Sequence, residues 1–308
     1  MSFHVVVGAG PTGIATAHQL AGSGERVLLI TRRGSGPEHP RIERVAADAT
    51  DATRMTELTR GASTLFNCAM PPYDRWPTEF PPLAAALLTA AERTGAGYVM
   101  LGNLYGYGPV DGLYTEDLPM APTTEKGRVR ARMWNDALAA HEAGRVRVTE
   151  VRASDYIGRG AASLFTLMVA QQVLAGEPAS IPGDLDAPHS WTYTGDVART
   201  LVAASRNEQA WGRAWHVPST ARLSIRELAT RLAHVTGAPA PKLSRMSADE
   251  VALLGRSDSI MREVSEMLYL SERPCLLDST RTERTLGLEP TPLDDALRDM
   301  VSGASPSP

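Results

Sequence analysis

Residues 3–13 read FHVVVGAGPTG, and no other stretch of the 308-residue chain restricts its fold as tightly. Phe3 to Val7 is a short apolar run rich in β-branched residues, the composition of a strand buried on both faces. Gly8, Gly10 and Gly13 follow in G-x-G-x-x-G spacing, and a helical stretch through Ile14 to Ala21 comes straight after. Each glycine then has a physical task. Gly8 makes the tight turn, Gly10 lets the backbone approach a pyrophosphate, and Gly13 lets the helix pack on the strand. The unpaired N–H groups at such a helix start attract phosphate. The spacing in this context predicts a dinucleotide site built from Gly8, Gly10, Pro11, Thr12 and Gly13.

The rest of the first half repeats the alternation. Strands are expected at 3–7, 26–30, 42–46, 63–68, 97–102 and 146–152, with helical stretches at about 12–22, 52–60, 81–94 and 124–143. Such alternation implies βαβ units: a Rossmann-type, doubly wound parallel sheet with helices on both faces. Ligand then binds outside the carboxyl ends of the strands. The five prolines between Met70 and Pro82 predict an irregular loop there, and 103–123 reads as a second long loop. A helix is expected at 161–175 and another opening at Gly195-Asp196, where Asp196 suits an N-cap or first-turn acid. Residues 1–153 read as the dinucleotide domain, with segments near 188–217 returning to it. Residues 154–308 read as a smaller, mixed α/β substrate domain ending in a frayed SGASPSP tail.

A net charge of −4 and a pI near 6.0 argue against nucleic acid as a partner. No apolar run approaches a membrane span, and no secretory signal pattern opens the chain, so a cytoplasmic protein is expected. Cys68 and Cys275 are the only cysteines, and no His/Cys spacing points to a metal. Nearly all basic residues are arginine; lysine occurs only at Lys126 and Lys242.

The end of the second strand discriminates between nicotinamide cofactors. An acid there favours NAD through the ribose 2′-hydroxyl, and an arginine favours NADP through the 2′-phosphate. Here Thr31 is followed by Arg32 and Arg33, with no acid before Glu38. NADP(H) is therefore expected over NAD(H). Asp48 is placed to meet an adenine edge, or else to cap the helix that begins near Asp51.

Along nearly its whole length the chain resembles the extended short-chain dehydrogenase/reductases, the NAD-dependent epimerase/dehydratase type. The resemblance rests on VVVGAGPTG, VAADATD, TLFNCAMPP, YVMLGNLYGYGP, EVRASDYIGRG and HSWTYTGDVAR, in that order. It places Ala69 beside the cofactor. It implies a catalytic Tyr, a Lys four residues later and an upstream Ser or Thr, the Tyr exchanging a proton while hydride moves. Carried over by position, those roles fall on Lys126, Arg130 and Leu101, and no Y-x-x-x-K occurs elsewhere. The expected set is therefore non-standard. Arg130 holds the ribose, Lys126 fills the acid/base position unless it is a solvated lysine paired with Glu125 or Glu116, Tyr105 or Tyr107 gives a proton and Asn103 polarises a carbonyl.

On the substrate side, Tyr107, Asp155, Tyr156, His189 and Trp191 are expected near the cleft, with His189, Trp191 and Tyr193 on one face if extended. The resemblance also implies a homodimer through helices 81–94 and 124–143. The expected function is an NADP(H)-dependent oxidoreductase acting on a small carbonyl or enone. The alternatives are an epimerase or dehydratase of a sugar or secondary metabolite, and a dinucleotide-binding regulator without chemistry.

Overall fold

The computed structural model describes residues 3–302; the SGASPSP tail beyond Ser302 lies outside them. Seven parallel strands form the central sheet, in the order Ala214–His216, Val148–Ala153, Gly97–Asn103, Thr64–Asn67, Phe3–Val7, Arg26–Thr31, Ile42–Ala46. The strand order reverses beside Phe3–Val7, which pairs with Arg26–Thr31 on one side and Thr64–Asn67 on the other. The glycine turn leaves the sheet at that point, where doubly wound sheets open a crevice.

Two apolar layers clamp the sheet. Val6, Leu29, Phe66 and Val151 face the helices Pro11–Gly22 and Thr194–Arg206 through Leu20, Val197 and Leu201. Val5, Leu65, Tyr98 and Val148 face the other side, against Phe80, Leu87, Met133 and Ala137 of the helices Trp76–Thr94 and Glu125–Glu142. The apolar faces of these two helices are buried largely within the one chain: they pack on each other, and Trp76–Thr94 packs also on the helix Ala52–Thr59.

The smaller lobe holds a three-stranded sheet of Asp155–Ile157, His189–Tyr193 and Ala221–Leu223, and a two-stranded sheet of Pro178–Ile181 and Lys242–Arg245. Its core is Phe165, Trp191, Leu228, Leu232 and Leu297. Of the segment 188–217, the strand His189–Tyr193 belongs to this lobe. The helix Thr194–Arg206 and the strand Ala214–His216 join the large sheet. Asp196 sits buried in the first turn of that helix, bonded to Arg199 and to Thr291 N at 2.7 Å.

Three local expectations need correction. The proline-rich stretch is regular: Tyr73–Arg75 is a 3-10 turn and a helix runs from Trp76 to Thr94 with Pro81 and Pro82 inside it. Pro77 costs nothing in the first turn, where the N–H is unpaired anyway. Pro81 and Pro82 do cost helical hydrogen bonds, but Trp76, Phe80 and Leu83 drive one face into the core and hold the helix together. The helix at 161–175 is two, Leu164–Met168 and Ala170–Ala175. The loop 103–123 carries a 3-10 turn at Tyr105–Tyr107 and a short strand, Leu113–Tyr114, paired with Leu276–Leu277.

Candidate active site

A cavity of about 1020 Å³ runs along the carboxyl ends of the parallel strands and continues between the two lobes. Gly8, Gly10, Pro11, Thr12 and Gly13 line one part of it. Gly8 has φ +101°, and a Cβ there would lie 2.7 Å from the backbone of Cys68 and Ala69. A Cβ on Gly13 would lie 1.9 Å from the carbonyl oxygen of Gly8, so the helix reaches the turn only because that position is glycine. Gly10 differs: a Cβ there would meet open space. It is also the N-cap, and no side chain caps the helix. Helix-start N–H groups thus face an open volume with nothing bonded to them from a cap, which fits a phosphate-bearing ligand.

Arg32, Arg33 and Asp48 line the cavity past the end of the second strand, and Ala69 lines it beside the glycine turn. Both arginines are exposed and make no ion pair among the described residues. Asp48 accepts hydrogen bonds from Thr50 N at 2.9 Å and Thr50 Oγ1 at 2.8 Å, which lower its pKa. The helix cap that it competed for in sequence is made by Asp51 instead, through Arg54 N at 3.0 Å.

At the other end the lining is mostly apolar, including Met70, Leu164, Leu167, Ile260, Val264 and Met267. The polar groups there are few. Asn103 and Tyr105 face the cavity, and Asn103 Oδ1 accepts from Tyr105 N at 3.2 Å. The hydroxyls of Tyr105 and Tyr73 meet at 3.4 Å. Arg130 is only 7% exposed; it donates to the Leu101 carbonyl at 3.0 Å and lies over the rings of Trp76 and Phe80, 4.6 and 4.4 Å from their centroids. Desolvation pushes the phenols of Tyr73, Tyr105 and Tyr156 up, which keeps them protonated.

Asp155 lines the cavity and bonds His189 Nδ1 at 2.9 Å. His189 itself is buried behind it and does not line the cavity. Three further expected side chains stand elsewhere. Trp191 is packed in the core of the smaller lobe against Phe165, its Nε1–H donating to the Leu223 carbonyl at 2.8 Å. The strand buries both of its faces, so alternation there selects core rather than cleft. Tyr107 is buried below the cavity, where its hydroxyl meets His216 Nε2 at 2.8 Å and Arg152 at 2.5 Å.

Lys126 is the third. It is fully buried and does not line the cavity. Its Nζ is ion-paired with Glu263 and with Glu266, the latter at 3.0 Å, and stands 4.7 Å from the centroid of the Tyr73 ring. It is neither solvated nor paired with Glu125 or Glu116. Sequence reasoning missed Tyr73 and Trp76, hidden by the proline reading of their segment, and missed the helix Ser259–Met267 altogether; apolar positions Ile260, Val264 and Met267 carry its inward face.

The sheet order, the glycine turn at the reversal and the cavity above it define a doubly wound α/β protein of the dinucleotide-binding kind. The chain belongs to the NAD dependent epimerase/dehydratase family, whose model matches residues 4–217. Its fold is that of several solved structures. MoeE5 in complex with UDP-glucuronic acid and NAD is 22% identical, with a TM-score of 0.80 over 98% of each chain. UDP-glucose 4-epimerase of Thermotoga maritima with UDP-glucose is 18% identical, with a TM-score of 0.78 and 98% of each chain covered. dTDP-glucose 4,6-dehydratase of Bacillus anthracis in complex with NAD is 16% identical, with a TM-score of 0.79 over 98% of this chain and 96% of that one. At these identities the likeness concerns the fold. No curated protein matches the chain. No helix among the described residues is long and apolar enough to cross a membrane.

Proposed function

We propose that this chain is a nicotinamide-dinucleotide-dependent oxidoreductase that moves hydride to or from a carbonyl-type carbon of a small, largely apolar substrate. The observation that carries the reading is the division of one cavity into two unlike ends. The glycine end offers unpaired N–H groups and open space over Gly10, as a pyrophosphate needs. The far end offers apolar side chains and a single cation, Arg130. A bound dinucleotide supplies the hydride chemistry. The protein's part is to hold it and to orient and protonate the substrate.

Gly8, Gly10, Pro11, Thr12, Gly13 and Ala69 would cradle the phosphates, and Asp48 would meet the adenosine. Arg32 and Arg33 support NADP(H), since two guanidiniums and no carboxylate follow the second strand. Asn103, Tyr105 and Arg130 are the expected catalytic residues that face the reacting end. Lys126 does not face it, so we assign it no part in the chemistry.

A second reading, epimerisation or dehydration of a nucleotide sugar, is favoured by the similarity in fold to proteins solved with UDP-glucose and UDP-glucuronic acid. At the apolar end a nucleotide-sugar diphosphate would meet one cation, Arg130, since Arg32 and Arg33 lie past the second strand at the other end of the cavity. Fluorescence titration with NADPH and NADH tests the cofactor. Calorimetric titration with UDP-glucose, UDP-glucuronic acid and dTDP-glucose tests the substrate. Binding of neither dinucleotide overturns the whole reading. Micromolar binding of a nucleotide sugar replaces the first substrate class with the second.

A further inference from the structure

Three tyrosines line the cavity: Tyr73, Tyr105 and Tyr156. The first two spend their hydroxyls on each other at 3.4 Å. The hydroxyl of Tyr156, on the strand Asp155–Ile157, makes no hydrogen bond among the described residues. Its phenol is therefore the unspent one. Arg130 carries the complementary signal. The side chain is more than nine-tenths buried and lines the same cavity, and its Nε–H has no partner among the described residues. A buried guanidinium donor left unpaired costs free energy unless something fills the site. Nothing in the fold makes use of that donor: Nη1 is engaged by the Leu101 carbonyl, and the flat face is covered by Trp76 and Phe80.

We propose that Arg130 and Tyr156 form an oxygen-binding subsite, where the carbonyl oxygen of an apolar substrate accepts hydrogen bonds from the Arg130 Nε–H and the Tyr156 hydroxyl. The inference rests on the oxidoreductase reading above and shifts the expected proton donor from Tyr105 to Tyr156. In the reductive direction, hydride from the reduced dinucleotide forms a C–H bond at the carbonyl carbon. The π pair moves onto oxygen, the Tyr156 O–H bond breaks, and that proton makes the product hydroxyl. The phenolate left behind sits beside Arg130 and recovers its proton from solvent. Electrostatics agree with this pairing. Burial raises the phenol of Tyr156 while the Arg130 charge opposes the rise. The groups that face Arg130 are Glu150, Tyr156, Tyr105 and Tyr73, so one carboxylate and three neutral phenols surround it.

Benzoate is a suitable probe: an apolar body with a carbonyl-like anionic oxygen. Trp76 stacks on Arg130, so its emission reports the subsite without turnover, and Trp76→Phe identifies that signal among the five tryptophans. Saturable quenching by benzoate is expected in the native chain, weakened about ten-fold in Arg130→Met and several-fold in Tyr156→Phe. Arg130→Met risks the packing over Trp76, and Tyr156→Phe keeps shape and carries the test alone if the other fails to fold. With benzaldehyde and NADPH, Tyr156→Phe is expected to retain dinucleotide binding and lose at least a hundred-fold in single-turnover hydride transfer. Benzoate binding that is absent from the native chain, or unchanged in Tyr156→Phe, overturns the subsite. A chain that takes up benzoate in this way but binds no dinucleotide keeps the subsite and loses the oxidoreductase reading.

Discussion

The ammonium of Lys126 and the carboxylate of Glu266 lie 3.0 Å apart, although 140 residues separate them in sequence. Glu266 also accepts from the backbone N–H groups of Glu125 and Lys126, so it caps the helix that Glu125 starts. Glu263 holds the same ammonium from one turn earlier on the helix Ser259–Met267. That helix forms one wall of the apolar chamber through Ile260, Val264 and Met267. The residue in the position where the family resemblance expects a catalytic tyrosine thus fastens that wall of the apolar chamber to the helix Glu125–Glu142.

Replacing Lys126 by Met should therefore loosen the wall rather than stop the chemistry. The acids it leaves behind are about a quarter exposed, so water compensates part of the loss. A destabilisation of roughly 2 kcal/mol is expected, below that of a fully buried pair. Amide exchange should rise in 259–267, and dinucleotide affinity should stay within about two-fold. Exchange unchanged in that helix would show that the ion pairs do not hold it.

Gly10 and Gly13 should separate binding from folding. Gly10→Val places its side chain in the open cavity, so the fold should survive while dinucleotide affinity falls at least ten-fold, about 1.4 kcal/mol. Gly13→Ala drives a Cβ into the Gly8 carbonyl and should cost roughly 1–3 kcal/mol of stability. Thermal melts paired with NADPH titration check both. A Gly10→Val chain with native affinity would place the phosphates elsewhere.

What could be read in the sequence was what is local. The glycine turn declares itself because turn, approach and helix packing all fall within six residues. The parallel strands declare themselves by their apolar runs. Lys126 did not, because its partners are set by tertiary folding and no spacing connects them. Trp191 and Tyr107 were placed near the cleft by their position in motifs. Burial of both faces of their segments took them into the interior instead. The helix from Trp76 was hidden by proline, whose local penalty is overridden by aromatic packing at Trp76 and Phe80. Tyr156 stood in a recognised motif, yet only the structure distinguishes its unspent hydroxyl from those of Tyr73 and Tyr105.

Arg32 and Arg33 should decide the cofactor. A 2′-phosphate between two guanidiniums gains charge-assisted hydrogen bonds worth about 1.5–3 kcal/mol, roughly ten- to a hundred-fold in affinity. The double variant Arg32→Ala, Arg33→Ala should lose that factor for NADPH and change little for NADH. Equal affinities of the native chain for the two cofactors would refute the assignment.

Stability should fall in mild acid, and His216 identifies why. Its Nδ1–H donates to the Asp278 carbonyl at 2.9 Å and its Nε2 accepts from Tyr107 at 2.8 Å, so the neutral ring satisfies both neighbours. Burial, with the Arg152 charge nearby, holds its pKa down to about 3 from an ordinary 6.5. The unfolded chain therefore takes up the proton first. The contribution to stability is complete above pH 6.5 and is lost as pH falls toward 3, at up to about 1.4 kcal/mol per pH unit. His4 shifts in the same direction through burial, opposed by Glu25. His216→Gln keeps an acceptor for Tyr107 without a titrating ring. Its urea midpoint should lie below that of the native chain at about pH 7 and approach it at about pH 4.5. Parallel midpoints at both pH values would show that His216 does not set the acid response.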